Sequence, residues 1–338
     1  MPTSRSAKLS LLAQKLDLSE TTVSRALSGN GRISAATREK VRILAEEMGY
    51  LSPSQKKQAS YRTKSGQSGN VAVVLSRDLL YESEFFHLAL LGAAATLAES
   101  NYETLLILCN SNEYRPLRQA VEKGKIDGAI FTRSIEQERS ISHLKKHGLP
   151  VVILGSGNKD AVMVDGNISL ACRELVDCVA ACGAKKIAYI GGNTTYIVNE
   201  NRQRGIEKGI FDRDTASDAA VIFNNVETRD DCFSAVDKAI TSGADAIICG
   251  DDVLTEWAFE ALVEAGLSVP EDMLLASCFD SSNMVRHTPP ITAVHIDARS
   301  QGIAAAQAMV QLLHGQEVKH MIRTEHEIMV RSSTRRRR

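Results

Sequence analysis

The sequence LSETTVSRALSGNGRIS, residues 18–34, places apolar side chains at Val23, Ala26 and Leu27 and polar side chains between them. That spacing of three and four residues puts the apolar side chains on one face of a helix. Ser19 precedes the helix, and a serine hydroxyl there accepts a hydrogen bond from a free backbone N–H of the first turn. A glycine-rich turn follows the helix. The stretch therefore predicts a short amphipathic helix that ends in a loop.

Two further helices are predicted on either side of this stretch. Their apolar positions recur every three or four residues: Leu9, Leu12, Ala13 and Leu16 before it, and Val41, Leu44, Ala45 and Met48 after it. A short turn at Asp17 joins the first two helices, and Ser34 is suited to cap the third. Two helices joined by so short a turn and braced by a third form a helix-turn-helix domain.

Charge separates this head from the rest of the chain. Residues 1–66 contain 12 Lys and Arg against 5 Asp and Glu, whereas the whole 338-residue chain has a net charge of −1. The remainder is therefore acidic. A small basic head on an acidic body predicts that the head binds a polyanion.

The outer face of the second helix carries Glu20, Thr21, Ser24 and Arg25. An arginine side chain can donate two parallel hydrogen bonds to guanine O6 and N7 in the major groove. The hydroxyls of Thr22 and Ser24 suit phosphate oxygens, which fix the register of a protein on DNA. An ordinary helical hairpin has the same spacing of apolar residues. Spacing alone therefore does not decide between such a hairpin and a helix that reads DNA.

Residues 18–50 closely resemble the DNA-binding head of the LacI/GalR family of bacterial transcription regulators. The resemblance rests on Thr22-Val23-Ser24-Arg25, on TREKV at residues 37–41 and on Gly49-Tyr50. It implies a DNA-binding domain at residues 1–50 and a linker at residues 51–69. It also implies that Glu20, Thr21 and Arg25 read base edges. The full set of residues predicted to contact DNA is Glu20, Thr21, Thr22, Ser24, Arg25, Arg32, Lys56 and Lys57.

The linker departs from the family pattern. The family has a hinge helix there, which forms on operator DNA and inserts a leucine into the minor groove. In this chain Lys57 occupies the alanine position and Ser60 the leucine position of that motif. We therefore expect no apolar wedge, while Lys56 and Lys57 can still hold phosphates.

From residue 70 onward, short apolar runs alternate with helical patterns. The runs stand at residues 71–75, 104–108, 128–131 and 151–154, and again at residues 186–190, 219–223, 245–249 and 273–277. Such alternation is typical of doubly wound parallel sheets with helices on both faces. The two series look like copies of each other. Two similar lobes that face each other form a cleft at the carboxyl ends of their strands, where such sheets bind ligands.

The resemblance to the LacI/GalR family also implies two lobes, because the family's regulatory domain is a two-lobed clamp like a periplasmic binding protein. We therefore predict an all-α helix-turn-helix head followed by an α/β clamp of doubly wound parallel sheets at residues 70–338. The N-lobe is expected at about 70–165 and 295–325, and the C-lobe at about 166–294 and 326–338.

Family motifs place the effector site. The arginine that clamps the effector corresponds to Arg202, and two later motifs supply Asp251 and Asp280. An arginine with two aspartates suits sugar hydroxyls, since carboxylates accept from hydroxyls and arginine donates to them. The predicted site comprises Ser76, Arg77, Phe85, Arg133, Arg202, Asp251 and Asp280. Arg77 and Arg133 leave open a phosphate or carboxylate on the effector.

An enzyme is the alternative class, and catalytic motifs are missing. The nearest match to a dinucleotide-binding loop, GSGNKD at residues 155–160, has Asp160 at its third glycine. A transport binding protein would not need the basic head. We therefore predict a cytoplasmic, non-enzymatic regulator without cofactor, metal or membrane contact. It is expected to bind a pseudo-palindromic double-stranded operator as a homodimer, and to repress carbohydrate-related genes under control of a sugar, sugar phosphate or sugar acid.

Overall fold

The computed structural model describes residues 4–28, 33–47, 67–76, 83–109, 114–133, 139–157, 160–212 and 220–336. The chain divides into two compact units, one up to Ser68 and one from Gly69 onward. Across these described ranges, every helix is too short or too polar to traverse a lipid bilayer.

The helices, in chain order, are α1 (Ser4–Leu16), α2 (Glu20–Ser28), α3 (Ala35–Glu47), α4 (Glu84–Glu99), α5 (Arg115–Glu122), α6 (Arg139–Lys146), α7 (Ile168–Ala181), α8 (Ile197–Phe211), α9 (Arg229–Thr241), α10 (Asp252–Glu264), α11 (Ser282–Arg286) and α12 (Ala298–Leu313). A short 3-10 helix at Ser332–Thr334 follows the last strand.

The strands are β1 (Asn70–Ser76), β2 (Glu103–Cys109), β3 (Gly128–Phe131), β4 (Val151–Leu154), β5 (Val162–Asp165), β6 (Ile187–Ile190), β7 (Ala220–Phe223), β8 (Ala246–Cys249), β9 (Leu274–Ser277), β10 (Thr292–His295), β11 (Met321–Arg323) and β12 (Glu327–Met329).

The first unit is the predicted three-helix head. Its core consists of Leu12, Ala13, Val23, Val41 and Ala45, with partly buried leucines and alanines packed against them. These are the positions that the helical periodicity assigned to the interior. Of the other predicted inward positions, Leu9 and Met48 lie outside the described side chains.

Both predicted helix caps in the head are confirmed. The Ser19 hydroxyl accepts from the backbone N–H of Thr22 at 3.1 Å, and the Ser34 hydroxyl accepts from that of Thr37 at the same distance. Asp17, in the turn between α1 and α2, has a φ of +50°. This left-handed conformation favours glycine, and aspartate tolerates it better than most residues. The turn therefore forms with aspartate at this position.

The second unit contains two six-stranded sheets. One has the order β11-β5-β4-β3-β1-β2 and is parallel throughout; the other has the order β12-β10-β9-β8-β6-β7 and is parallel except for β12. The first sheet, with α4, α5, α6 and α12, is called the N-lobe below. The second sheet, with α7–α11, is called the C-lobe. The chain passes between the lobes at residues 166–167, 296–297 and 324–326.

Apolar runs build the central strands because both faces of each sheet are covered. Every residue of β3, β4, β6 and β8 is buried. Such uninterrupted burial explains why these strands appear in the sequence as continuous apolar runs without alternation. The carboxyl ends of the strands in the two sheets border the space between the lobes.

Helices α4 and α12 of the N-lobe pack closely through glycines. A Cβ added at Gly302 would lie 2.0 Å from the carbonyl oxygen of Ala89, and one added at Gly92 would lie 2.3 Å from that of Arg299. Each clash is with backbone, so neither can be relieved by turning a side chain. Glycine at these positions is therefore required by the distance between the helices.

We predict that Gly302→Ala destabilises the body by about 1–3 kcal/mol, because overpacking must push α12 away from α4. An ordinary Gly→Ala change inside a helix has the opposite sign and stabilises by roughly 1 kcal/mol. Urea unfolding of the full chain measures the difference. The exposed Gln307→Ala on the same helix is the control and should leave the midpoint unchanged; an unaltered or raised midpoint for Gly302→Ala would disprove the close packing.

Candidate functional site

The head presents an exposed polar surface on α2. Glu20, Thr21, Ser24 and Arg25 are exposed, while Val23 between them is fully buried. The Thr22 hydroxyl lies 2.8 Å from the Ser19 hydroxyl and so helps to cap the helix. The remaining residues predicted to contact DNA, namely Arg32, Lys56 and Lys57, lie outside the described residues, as does the linker position Ser60.

The body contains a cleft between its two lobes. It lies at the carboxyl ends of the strands, with Arg133 following β3, Asp165 ending β5 and Asp251 following β8. Its polar lining consists of Ser83, Thr132, Arg133, Asp165, Arg202, Asp251 and Gln301, and its apolar lining includes Phe85, Phe86, Phe279, Ile168, Val198 and Ile296. A concave site with a few converging polar groups on an apolar wall is typical of small-molecule binding.

Arg202 on α8 lies against the floor of this cleft in the C-lobe. Its Nη1 donates to Oδ1 of Asn199 at 3.0 Å and lies 3.9 Å from Oδ2 of Asp251. Burial acts to lower the pKa of Arg202, but Asp251, with smaller contributions from Cys278, Tyr189 and Cys172, outweighs burial, and the pKa is raised. Its Nε is buried, and no described residue accepts a hydrogen bond from it. Arg202 is thus a permanently charged group with a donor still to satisfy.

The two carboxylate oxygens of Asp251 have different roles, one in capping a helix and one in facing Arg202. Its Oδ1 accepts from the backbone N–H of Leu254 at 3.0 Å and caps α10, while its Oδ2 faces Arg202. The cap fixes the direction of the carboxylate. Because the side chains of Arg202 and Asp251 are only 11% and 15% exposed, their attraction is weakly screened by water.

Aromatic rings line the cleft on the N-lobe side and meet the C-lobe. Phe85 packs edge-to-face against Phe279 of the C-lobe, with ring centroids 5.7 Å apart. The Arg133 guanidinium lies 4.9 Å from the ring centre of Phe86 and 4.8 Å from that of Tyr196, which immediately precedes α8 in the C-lobe. Phe85 and Arg133 therefore both lie at the cleft, as their positions in the sequence suggested, and both contact the opposite lobe.

Asp280 has a different environment from the one predicted. Nη1 and Nη2 of Arg331 donate to its two carboxylate oxygens at 2.6 and 2.7 Å, and Nη1 also donates to the carbonyl of Ile291. Asp280 does not line the cleft. Its carboxylate instead fastens the C-terminal segment to the C-lobe, so we leave it out of the proposed site. The side chain of Ser76 and all of Arg77 lie outside the described residues.

The sequence prediction missed two residues that line the cleft, Asp165 and Gln301. Asp165 is the last residue of β5, and a polar residue at the carboxyl end of a buried run is a signal that sequence reasoning could have used. Gln301 lies on α12, one turn after the second crossing between the lobes, and is 3% exposed. Its Nε2 donates to the Thr324 hydroxyl in the third crossing at 2.8 Å. No local pattern marks such a residue.

Comparisons with known proteins match both units. A model of the bacterial regulatory proteins of the lacI family matches residues 12–53. A model of the periplasmic binding protein-like domain matches residues 176–334. Among curated proteins, the HTH-type transcriptional regulator AglR of Rhizobium meliloti is 24% identical, with 96% of this chain and 94% of that protein covered.

Solved structures share the fold over nearly the whole chain. The structure of the transcriptional regulator CelR in complex with cellobiose has a TM-score of 0.71 at 22% identity, covering 96% of this chain and 99% of that one. The lac repressor dimer bound to operator and the anti-inducer ONPF also has a TM-score of 0.71, at 19% identity, covering 96% and 98%.

The family comprises DNA-binding transcription regulators and not enzymes, and its head and its clamp are both present here in chain order. The chain therefore belongs to the LacI family of bacterial transcription regulators and carries a periplasmic-binding-protein-like effector domain.

Proposed function

We propose that this regulator represses carbohydrate-related genes and that a sugar-type molecule in the cleft controls its affinity for operator DNA. The observation that carries the proposal is the buried pair of Arg202 and Asp251 at the cleft floor, with a donor of Arg202 that has no acceptor among the described residues. A ligand hydroxyl can accept from that donor and can donate to a carboxylate. The pair is thus suited to a polyhydroxylated molecule.

The apolar lining supports the same ligand class. Phe85 and Phe279 offer ring faces and edges, which pack against the C–H faces of a sugar while polar groups bind its hydroxyls. The similar regulator CelR is known in complex with cellobiose. An anionic group on the ligand is the narrower alternative, and Arg133 at the cleft is the residue that favours it.

We further propose that the chain binds operator DNA as a homodimer in the bacterial cytoplasm. A single α2 helix reads only a few base pairs, and two heads related by a two-fold axis read two half-sites about one helical turn apart. The operator should then be a pseudo-palindrome. Glu20, Thr21 and Arg25 are the proposed base-reading residues, and Thr22, Ser24, Arg32, Lys56 and Lys57 the proposed backbone contacts.

A thermal-shift screen of the full chain tests the ligand class. Neutral sugars, sugar phosphates, sugar acids and a comparison set of non-carbohydrate metabolites are each added at the same concentration, because a ligand that binds only the folded state raises the melting temperature. We expect at least one sugar-type compound to raise the melting temperature of the wild type, and we expect the same compound to have no effect on Arg202→Ala. A panel in which only non-carbohydrate compounds stabilise the protein would contradict it.

A further inference from the structure

Three helix N-termini from the two lobes meet beside the cleft. Glu84 is the first residue of α4 in the N-lobe, while Asp252 and Ser282 are the first residues of α10 and α11 in the C-lobe. The first turns of helices have free backbone N–H groups and a partial positive charge. A junction of three such ends needs acceptors, preferably negatively charged ones.

Two carboxylates supply these acceptors, each across the gap between the lobes. Oδ2 of Asp252 accepts from the backbone N–H of Glu84 at 3.3 Å. In return, Oε2 of Glu84 accepts from the backbone N–H of Ser282 at 2.7 Å. Each lobe therefore provides the side chain that caps a helix of the other. These caps exist only while the lobes are closed, since separation of the lobes leaves each carboxylate in water.

Burial makes Asp252 different from Glu84. Asp252 is 6% exposed, and its second oxygen, Oδ1, is buried with no hydrogen-bond partner among the described residues. The hydroxyl of Ser281, beside the same junction, is likewise buried and unpaired within the described part of the chain. An ionised carboxylate with one unsolvated oxygen is far costlier to bury than a protonated one. The closed junction thus favours a proton on Asp252.

We propose that Glu84 and Asp252 form an acid-sensitive latch that holds the two lobes of the effector domain closed. Oδ2 of Asp252 keeps its hydrogen bond from the Glu84 N–H whether or not Oδ1 carries a proton. Protonation therefore lowers the cost of burial without breaking the cap. The latch acts on the closure of the lobes itself, so it does not depend on which ligand the cleft binds.

The electrostatic surroundings give the direction of the pH effect. Burial raises the pKa of Asp252 from its ordinary 3.8 to about 6, and the neighbouring Asp251 carboxylate adds to the rise, while the Ser83 hydroxyl and the Glu84 N–H act against it. Glu84 is the charged group that faces Asp252 from α4. Just after the end of α11, Nε2 of His287 lies 2.9 Å from Oε2 of Glu256, which is one turn after Asp252 on α10.

The sign follows from linkage. The closed state binds the proton more tightly than the open state, in which Asp252 is solvated and its pKa is near the ordinary value. Closure is therefore independent of pH well above 6 and strengthens as the pH falls through 6. From pH 7 to pH 5 the equilibrium shifts toward the closed state by about tenfold for these two pKa values.

Amide hydrogen exchange of the full chain, with no ligand added, tests the latch at the N–H groups of Glu84 and Ser282. After correction for the intrinsic pH dependence of exchange, protection of both amides should be about tenfold greater at pH 5 than at pH 7. Asp252→Asn keeps the acceptor but cannot titrate, so its protection should be the same at both values. Asp237→Asn removes an exposed carboxylate from α9 and should retain the tenfold rise.

Two further readouts keep the test decisive. Glu84→Gln leaves Asp252 in place and should retain the increase in amide protection at pH 5. This second variant keeps the test valid if Asp252→Asn misfolds. Amides of β8 in the C-lobe core report global opening and should not follow the latch. The proposal is overturned if wild-type protection is unchanged by pH, if the rise survives in Asp252→Asn, as it would if His287 caused it, or if β8 shows the same rise.

Discussion

Replacing Arg25 with alanine is expected to remove most of the preference of this regulator for its operator over random DNA. Arg25 is exposed on α2, and the buried Val23 fixes the orientation of the helix that presents it. Loss of a bidentate contact to guanine costs roughly 1–3 kcal/mol at each half-site. With two half-sites the loss is doubled, while non-specific binding by the basic head persists.

Fluorescence anisotropy with operator and random duplexes at one salt concentration measures this preference. Arg38→Ala removes an exposed arginine from α3, outside the proposed reading face, and is the control for loss of charge. It should weaken binding to both duplexes by a similar factor. An unchanged footprint and an unchanged preference for Arg25→Ala would exclude Arg25 as a base-reading residue.

The second large effect is expected at the cleft. Arg202→Ala should abolish the response to the effector and leave operator binding without effector intact, because the head is a separate unit. The change removes the donor proposed for the ligand and leaves Asp251 without its cation in a desolvated site. Removal of one partner from such a buried contact costs on the order of 1–3 kcal/mol or more.

Isothermal titration calorimetry with the compound that gives the largest thermal shift measures the loss. Arg204 offers a matched control on the same helix, since its side chain is exposed and pairs with Glu200 on the surface. Arg204→Ala should bind the compound as the wild type does. Binding of full strength by Arg202→Ala would remove this residue from the site.

Local features of the fold could be predicted because their causes are local. The periodicity around Val23 and the hydroxyls of Ser19 and Ser34 lie within one or two turns of the helices that they define. The buried strands were visible for a similar reason, since a run such as VVIL at β4 has no polar residue to place. The position of Asp251 was suggested by a family motif, and the residue lines the cleft.

The environment of Asp280 could not be predicted because its partner is distant in sequence. Arg331 is brought to it by the C-terminal segment, in which Ser333 and Thr334 are fully buried against the C-lobe. The Ser333 hydroxyl donates to the carbonyl of Leu275 at 2.6 Å, and the Thr334 hydroxyl lies 2.7 Å from that of Thr292. A motif that places an aspartate near a cleft does not reveal a competing arginine from another element.

The junction of Glu84, Asp252 and Ser282 was hidden for a related reason. In the sequence, each residue is an ordinary start of a helix. The two capping hydrogen bonds join residues that are 168 and 198 positions apart in the chain. Only the packing of the two lobes brings them together. The same holds for Gln301. It lines the cleft only because α12 packs on the N-lobe after the chain has crossed back from the C-lobe.

The most direct test of the account is a titration of operator DNA with the full chain, with and without the compound that gives the largest thermal shift. We expect the compound to change operator affinity by tenfold or more, which corresponds to a coupling free energy of about 1.4 kcal/mol, and we expect the change to vanish in Arg202→Ala. A compound that binds the wild-type cleft tightly and leaves operator affinity unchanged would contradict the claim that the cleft controls DNA binding.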